Sequence, residues 1–191
     1  SDMKTAAEWL VQDAQNSDAA WKILTVHQPA YYTSTKGGNG PMTQYIPAAA
    51  EAAGIDVVFS GHDHSFARTN PLKGGEIDTE NGVYYYICGS SGEKTYGIDS
   101  QSVFDYNTVF KQATTEFNAV YLSVEATQSE MTINVYDVLA DGSEQLLDRL
   151  TLKSLTGSCA EKGHELDNAV CSNGKLICNN CHAAVDPVEW N

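Results

Sequence analysis

"VVFSGHDHSFAR", residues 57–68, places two histidines, His62 and His64, one residue apart behind a short apolar run. The apolar residues 57–59 lie between two glycines, which predicts a buried strand that ends just before the histidines. In an extended segment residues i and i+2 point the same way, so we expect both imidazoles to enter one small volume. Imidazole nitrogen is a good ligand for zinc and iron, and the stretch therefore predicts a metal site. A pair of surface histidines in a turn is the alternative.

A third histidine, His27, follows the apolar run "KILTV" (residues 22–26) and precedes Pro29. That run predicts another strand, and open α/β sheets collect ligands at the carboxyl ends of their strands. Two neighbouring strands would bring His27 together with His62 and His64. A histidine bonded to the backbone at the edge of the core is the other interpretation of His27.

The segments around these strands predict helices. Residues 5–15 indicate an amphipathic helix with Trp9 and Leu10 on its apolar side. Residues 43–53 indicate a second helix, and Gly54 supplies a plausible end for it. The front of the chain therefore has the strand–helix–strand order of an α/β fold.

Four more strands are predicted beyond the two histidines. "GVYYYICGSSG" (residues 82–92) enters a glycine turn and carries Cys88, which we expect to be a buried thiol. The last three strands are joined by "TQSE" and "LADGS", which predicts an antiparallel meander. They are "NAVYLSVEA" (118–126), "MTINVYDV" (131–138) and "QLLDRLTLK" (145–153). Together with the front of the chain they indicate a mixed sheet or a sandwich.

Composition limits the classes of protein that fit. The chain has 191 residues, is 42% hydrophobic and carries a formal net charge of −14, which argues against a nucleic-acid-binding surface. No segment approaches the roughly 20 apolar residues of a membrane span. We predict a main domain over residues 1–153, a linker over 154–158 and a Cys-rich tail over 159–191.

The tail concentrates four of the five cysteines, Cys159, Cys171, Cys178 and Cys181, with His164 nearby. Cys178-x-x-Cys181 has the spacing of a metal knuckle, so a structural zinc is one explanation of the cluster. Two disulfides in an oxidising compartment are the other. The tail resembles the short Cys-rich repeats on secreted proteins of Gram-positive bacteria, which implies an extracellular or cell-surface location.

Several segments, in order, resemble the calcineurin-like metallophosphoesterases and, within them, the purple acid phosphatase branch. His27 matches a histidine that ends a strand before a proline, and residues 61–64 match the GHxH motif of this class. Phe66 and Arg68 occupy the usual aromatic-x-Arg neighbourhood. The resembling segments are "EWLVQDAQNSDAAWKILTVHQPAYY", "AAGIDVVFSGHDHSFAR", "GVYYYICGSSG" and "LSVEATQSEMTINVYDVLADGSEQLLDRLTL".

The resemblance implies an αββα sandwich with a binuclear metal centre of iron, zinc or manganese ions. His27 and His62 would serve one metal and His64 the other. The implied reaction is hydrolysis of a phosphate mono- or diester by a metal-bound hydroxide, because the cations lower the pKa of water and neutralise the phosphoryl oxygens.

The other ligands of that class are absent from this sequence. No Asp-x-Gly, Gly-Asp or Gly-Asn-His-Asp/Glu string occurs in the chain, so it resembles the C-terminal half of the domain. We therefore expect it to be inactive alone. We also expect it to self-associate, by edge pairing or by exchange of elements between two chains, because the missing half would leave an apolar face and a sheet edge uncovered. Two further functions are compatible with these residues: a non-catalytic interaction or scaffold module, and a remnant that binds a single metal ion through His27, His62 and His64.

Overall fold

The computed structural model describes residues 2–34, 38, 40–92, 94, 96–98, 103–105, 119–154, 171–172, 175–178 and 184–185. The helices in these residues are α1 (Met3–Gln15) and α2 (Gly40–Ala53). The strands of the first half are β1 (Ile23–Thr25), β2 (Val57–Ser60), β3 (Phe66–Arg68), β4 (Leu72–Lys73), β5 (Glu76–Ile77) and β6 (Tyr84–Cys88). Those of the second half are β7 (Ala119–Ala126), β8 (Glu130–Val138), β9 (Glu144–Lys153), β10 (Cys171–Ser172), β11 (Lys175–Ile177) and β12 (Ala184–Val185).

Helix α1 begins at a side-chain cap. The carboxylate of Asp2 accepts a hydrogen bond from the backbone N–H of Thr5 at 2.8 Å, which satisfies a donor at the helix start and lowers the pKa of Asp2. Leu10 and Ala14 lie four residues apart and are buried, as an amphipathic helix requires. The prediction for Trp9 was wrong, because its side chain is 62% exposed. Trp9 precedes Leu10 by one position and so points about 100° away around the helix.

Helix α2 starts three residues earlier than predicted, at Gly40, and ends as predicted before Gly54. Gly54 has a φ of 65°, a left-handed conformation that glycine adopts without the steric cost of a side chain. Ala49, Ala50 and Ala53 are buried on the inner face of this helix. These small side chains place α2 in the same apolar cluster as α1.

The main sheet has the order β1-β2-β6-β3, with β1, β2 and β6 parallel and β3 antiparallel to β6. Val58 pairs with Tyr85, and both belong to the apolar cluster that contains the two helices. Their chain neighbours Phe59 and Tyr86 pair with each other, and their rings are 5.4 Å apart on the opposite face. The predicted α/β class with a mixed sheet is confirmed.

The later strands form a three-stranded sheet in the order β7-β8-β9. The connections, 127–129 and 139–143, are far too short for a parallel crossover, so successive strands run antiparallel, as the predicted meander requires. Gly142 in the second turn has a φ of 81°. Arg149 donates to the side-chain oxygen of Asn134 at 2.7 Å, and the ring of Tyr121 stacks on Tyr136.

A buried ion pair joins β3 to β9. The guanidinium of Arg68 donates to both oxygens of Asp148, at 2.7 and 3.2 Å, and lies 3.5 Å from a carboxylate oxygen of Asp105. Burial alone would lower the pKa of Arg68, but the hydrogen bonds and the charge of Asp148 outweigh it and the pKa is raised. Arg68 is therefore a structural cation that holds one edge of the main sheet to a strand of the meander.

The chain divides into two compact units. The first comprises Ser1–Ser123 and Asn134–Arg149, and the second comprises Val124–Ile133 and Leu150–Asn191. The described part of the second unit includes a small antiparallel sheet in the order β10-β11-β12. Cys171 lies in β10, and Cys178 is fully buried just after β11. The other three candidate ligands of the tail, Cys159, His164 and Cys181, lie outside the described residues.

Candidate metal centre

Two parallel strands bring His27 and His62 together. The ladder between β1 and β2 continues past Thr25, because Val26 donates its N–H to Phe59 at 3.0 Å. Gly61 then donates its N–H to the backbone oxygen of His27, also at 3.0 Å. This last bond places His62, the residue after Gly61, beside His27 at the carboxyl ends of both strands, where α/β sheets bind ligands.

The two imidazoles face each other through one nitrogen each. Nδ1 of His62 lies 3.4 Å from Nε2 of His27, and the rings are nearly perpendicular, at 88°. Two nitrogens that bind one tetrahedral zinc at about 2.0–2.1 Å are about 3.3–3.4 Å apart. The observed separation of the two imidazole nitrogens therefore fits a single metal ion held by both histidines.

His62 and His64 do not follow the extended path that was expected for them. Their φ angles are 70° and 50°, in the left-handed region that non-glycine residues rarely adopt. Each such residue costs about 1–2 kcal/mol of conformational free energy. The backbone therefore bends sharply at both histidines and does not follow the extended path of a strand. The directions of the two imidazole rings depend on this bent loop and not on the i and i+2 alternation. Backbone strain of this kind is concentrated at functional sites in proteins.

His64 is fixed by the segment around Lys94. Its Nδ1 lies 2.9 Å from the backbone oxygen of Lys94, and its ring stacks on Tyr96 at 4.9 Å between centroids. A carbonyl oxygen can only accept, so Nδ1 carries a proton, and in the neutral form of the ring Nε2 then has the lone pair. Metal-ligating histidines commonly donate their second nitrogen to a carbonyl in this way. His64 thus presents Nε2 as its potential ligand atom.

The three histidines do not form one cluster in the part of the chain that the structure describes. No group of three or more His, Cys, Asp or Glu side chains that could hold a metal occurs among those residues. His27 and His62 form a pair, whereas the contacts described for His64 are with Lys94 and Tyr96. This arrangement differs from the single small volume that the spacing of the two later histidines predicted.

Sequence reasoning did not single out Asp63, which lies between the two histidines and is only 1% exposed. Its Oδ2 accepts hydrogen bonds from the backbone N–H groups of Thr33 at 2.7 Å and Ser34 at 3.0 Å. Within the part of the chain that the structure describes, its Oδ1 is buried without a hydrogen-bond partner. Gly and Asp are both common in exposed turns, so the sequence contained no local signal that this carboxylate is buried.

Phe66 and Arg68 belong to the core and not to the candidate site. Phe66 is 1% exposed and Arg68 forms the ion pair with Asp148. Cys88, at the end of β6, is half-buried, and burial raises the pKa of its thiol to about 11.

The chain is similar in sequence to plant phosphatases. Purple acid phosphatase 15 of Arabidopsis thaliana is 29% identical over 92 residues, which is 46% of this chain. Purple acid phosphatase 21 of the same plant is 29% identical over 91 residues, or 45% of this chain. The chain matches only 17% and 21% of the length of these two curated relatives. No known protein-family profile matches it.

Two solved structures share the fold. The purple acid phosphatase PPD1 from yellow lupin (Lupinus luteus) seeds matches with a TM-score of 0.59 at 18% identity, over 76% of this chain and 28% of that one. GAP50, the anchor in the inner membrane complex of Plasmodium, matches with a TM-score of 0.50 at 18% identity, over 77% of this chain and 41% of that one. At this level of identity the likeness concerns the fold.

The described residues share the fold of a part of the purple acid phosphatase PPD1. The chain resembles the C-terminal portion of the purple acid phosphatases, and the resemblance predicted from the GHxH segment is confirmed. The class has a binuclear metal centre. No helix in the described residues is long and apolar enough to cross a membrane.

Proposed function

We propose that this chain supplies the imidazole half of a binuclear metal centre that hydrolyses phosphate esters. The observation that carries the proposal is the 3.4 Å separation between Nδ1 of His62 and Nε2 of His27, which suits a shared metal ion. His64, with its Nε2 directed by the bond from Nδ1 to Lys94, would hold the second ion. When bound, the ions would supply an activated water and neutralise the phosphoryl oxygens.

The residues of this chain would have three tasks in that reaction. His27 and His62 would fix one ion at the ends of β1 and β2, and His64 would fix the other from the same loop. Lys94 is exposed, and its ammonium lies 5.2 Å from the centroid of the Tyr96 ring beside His64. In a chain with a net charge of −14, this cation would help to attract an anionic ester.

We further propose that the chain alone is inactive, because two histidine sites without carboxylate, Asn and Tyr ligands cannot hold two ions that share a bridge. The test is the hydrolysis of p-nitrophenyl phosphate by this chain and by a longer protein that includes those ligands. Each is compared with its own His62→Ala/His64→Ala variant. Metal-dependent turnover by the short chain alone would contradict the proposal.

A non-catalytic interaction module is the second candidate function. Its support is the shared fold with GAP50, which is described as an anchor in a membrane complex. The third candidate function is that of a remnant that binds a single metal ion through His27, His62 and His64. The same comparison separates them, because neither alternative predicts any activity in a longer protein that restores the missing ligands.

We propose that residues 159–191 form a separate module after the 154–158 linker, held by a structural zinc. Two strands of a short sheet bring Cys171 and Cys178 into the same hairpin region, and so short a sheet has little apolar area of its own to bury. Zinc analysis of protein purified without added metal should give close to one ion per chain.

Replacing Cys178 by serine should remove that zinc, whereas Cys88→Ser, outside the tail, should leave it in place. A zinc-free protein without free thiols at Cys159, Cys171, Cys178 and Cys181 would instead establish two disulfides. Disulfides would also support the extracellular or cell-surface location that we propose for the protein, since they persist in oxidising compartments.

We also propose that the chain self-associates through β1. In the described residues β1 pairs only with β2, and Ile23 on it is 43% exposed. An apolar cavity of about 450 Å³ adjoins this strand, and its lining includes Trp9, Leu24 and Met42. An unpaired edge beside an apolar cavity favours the addition of another strand.

Light scattering at tens of micromolar should therefore detect dimers or larger species. Ile23→Lys should shift the population towards the monomer, because a charge on an edge strand opposes pairing. Ile77→Lys is the matched control, since Ile77 is also exposed but lies in the separate β4-β5 hairpin. A monodisperse wild-type monomer at these concentrations would contradict the proposal.

A further inference from the structure

We propose that Asp63 is the positioning residue that sets the conformation and the tautomer of His64. The inference rests on the proposed function in so far as it takes His64 to be a metal ligand. Asp63 itself is not assigned as a ligand. Its carboxylate is turned to the backbone of another segment, and it would act through the histidines on either side of it.

The carboxylate of Asp63 is a buried acceptor for two successive backbone N–H groups. Its Oδ2 accepts from the N–H groups of both Thr33 and Ser34, at 2.7 and 3.0 Å. The hydroxyl of Thr33 also bonds to that of Ser65, at 2.8 Å, just after the second histidine. These bonds are charge-assisted or fully buried, which makes them stronger than exposed ones.

The segment that Asp63 holds is connected to the segment that holds His64. Ser34 forms a β-bridge with Ile98, four residues beyond Lys94. The backbone oxygen of Lys94 accepts from Nδ1 of His64. The covalent chain from Lys94 to Ile98 joins these contacts, so that together they close a ring in which the side chains of Asp63 and His64 hold the two ends.

Such a ring explains how an unfavourable backbone is maintained. Both His62 and His64 have positive φ angles, and a free loop would relax away from that conformation. Within the loop, Asp63 donates its own N–H to the oxygen of Gly61 at 2.8 Å, which tightens the first bend. If the carboxylate is removed, the loop loses both bonds from the backbone N–H groups of Thr33 and Ser34, and only the hydroxyl bond between Thr33 and Ser65 still opposes the strain.

The ring of contacts determines which nitrogen of neutral His64 carries the imidazole proton. While the ring is closed, the Lys94 oxygen keeps the proton of neutral His64 on Nδ1, so that Nε2 has its lone pair ready for a cation. With the ring open, the imidazole can carry its proton on either nitrogen. Asp63 would therefore prepare His64 for binding before any ion arrives.

The test uses the metal-free chain at pH 8.5, where imidazole is neutral. Nitrogen-15 NMR of the His64 ring reports the tautomer, and hydrogen exchange reports the Thr33 and Ser34 amides. Wild-type protein should show the Nδ1–H form and protected amides. Asp63→Ala should give a mixture of tautomers and exchange at these amides at least about tenfold faster.

Two further variants make the result specific. Asp63→Asn retains an oxygen acceptor without the charge, so its His64 tautomer ratio and amide exchange rates should fall between those of the wild type and Asp63→Ala. This variant also tests the inference if Asp63→Ala fails to fold. Asp78→Ala is the matched control, because the carboxylate of Asp78 likewise accepts two backbone N–H groups, of Glu80 and Asn81. It should leave His64, Thr33 and Ser34 unchanged.

An unchanged His64 tautomer in Asp63→Asn and Asp63→Ala would overturn the inference, even if their stability were reduced. A subsequent Zn²⁺ titration of the same samples tests the proposed function separately. Failure of wild-type His64 to bind zinc would count against its role as a ligand, whereas the positioning by Asp63 is decided by the metal-free spectra alone.

Discussion

In a longer protein that joins this chain to the absent carboxylate, Asn and Tyr ligands, replacing His62 and His64 by alanine is expected to lower kcat/KM for p-nitrophenyl phosphate by on the order of 10³-fold or more. Activation of the nucleophile and neutralisation of the phosphoryl charge each contribute several kcal/mol, and about 1.4 kcal/mol corresponds to a factor of ten. The short chain, with or without these substitutions, is expected to show only the uncatalysed rate with Zn²⁺, Mn²⁺ or Fe³⁺.

The matched control is His182→Ala in the longer protein. It removes one imidazole by the same substitution, but from the tail, beyond the segments that resemble the phosphatases. Its activity should equal that of the unaltered protein. An active longer protein that tolerates the loss of both His62 and His64 would refute their role as metal ligands.

Breaking the ion pair between Arg68 and Asp148 is expected to lower the free energy of unfolding by about 3–5 kcal/mol. The two side chains are 11% and 9% exposed, so Arg68→Ala would leave a carboxylate buried without its main partner, and Asp148→Ala would leave a buried guanidinium. Either loss approaches half of the total stability of a typical domain. Urea denaturation followed by circular dichroism measures the difference.

The exposed pair of Lys4 and Glu8 is a suitable control for that measurement. Its side chains are 65% and 61% exposed and its atoms are 3.9 Å apart, so Glu8→Ala should change the free energy of unfolding by no more than about 0.5 kcal/mol. Adding salt should reduce even this small effect. A loss below about 1 kcal/mol for both Arg68→Ala and Asp148→Ala would show that the pair is not an important link between β3 and β9.

The sequence was informative where structure depends on neighbouring residues. The apolar runs before His27 and His62 predicted two strands, and the rule for strand ends in α/β sheets predicted that these histidines would approach each other. The glycines at positions 54 and 142 marked a helix end and a turn, and both have positive φ angles. In each case the cause lies within a few residues of the effect.

What could not be predicted depends on partners far along the chain. Asp63 is buried because Thr33 and Ser34, some 30 residues earlier, donate to it. Arg68 was noted only as part of a motif, whereas its partner Asp148 is 80 residues away. The bends at the two histidines are likewise imposed by such tertiary contacts, which is why a strand-like alternation was the wrong expectation for them.

The distance between Arg68 and Asp148 along the chain also affects the order of events during synthesis. Strands β1, β2, β3 and β6 all lie within residues 23–88, so their sheet can form from comparatively local contacts, before β9 is needed. At about 5–20 residues per second, the ribosome needs roughly 4–16 s to add the 80 residues between the two partners. For that interval Arg68 is a solvated charge at the edge of a nascent sheet, and the link to β9 can close only after the last strand of the meander has emerged.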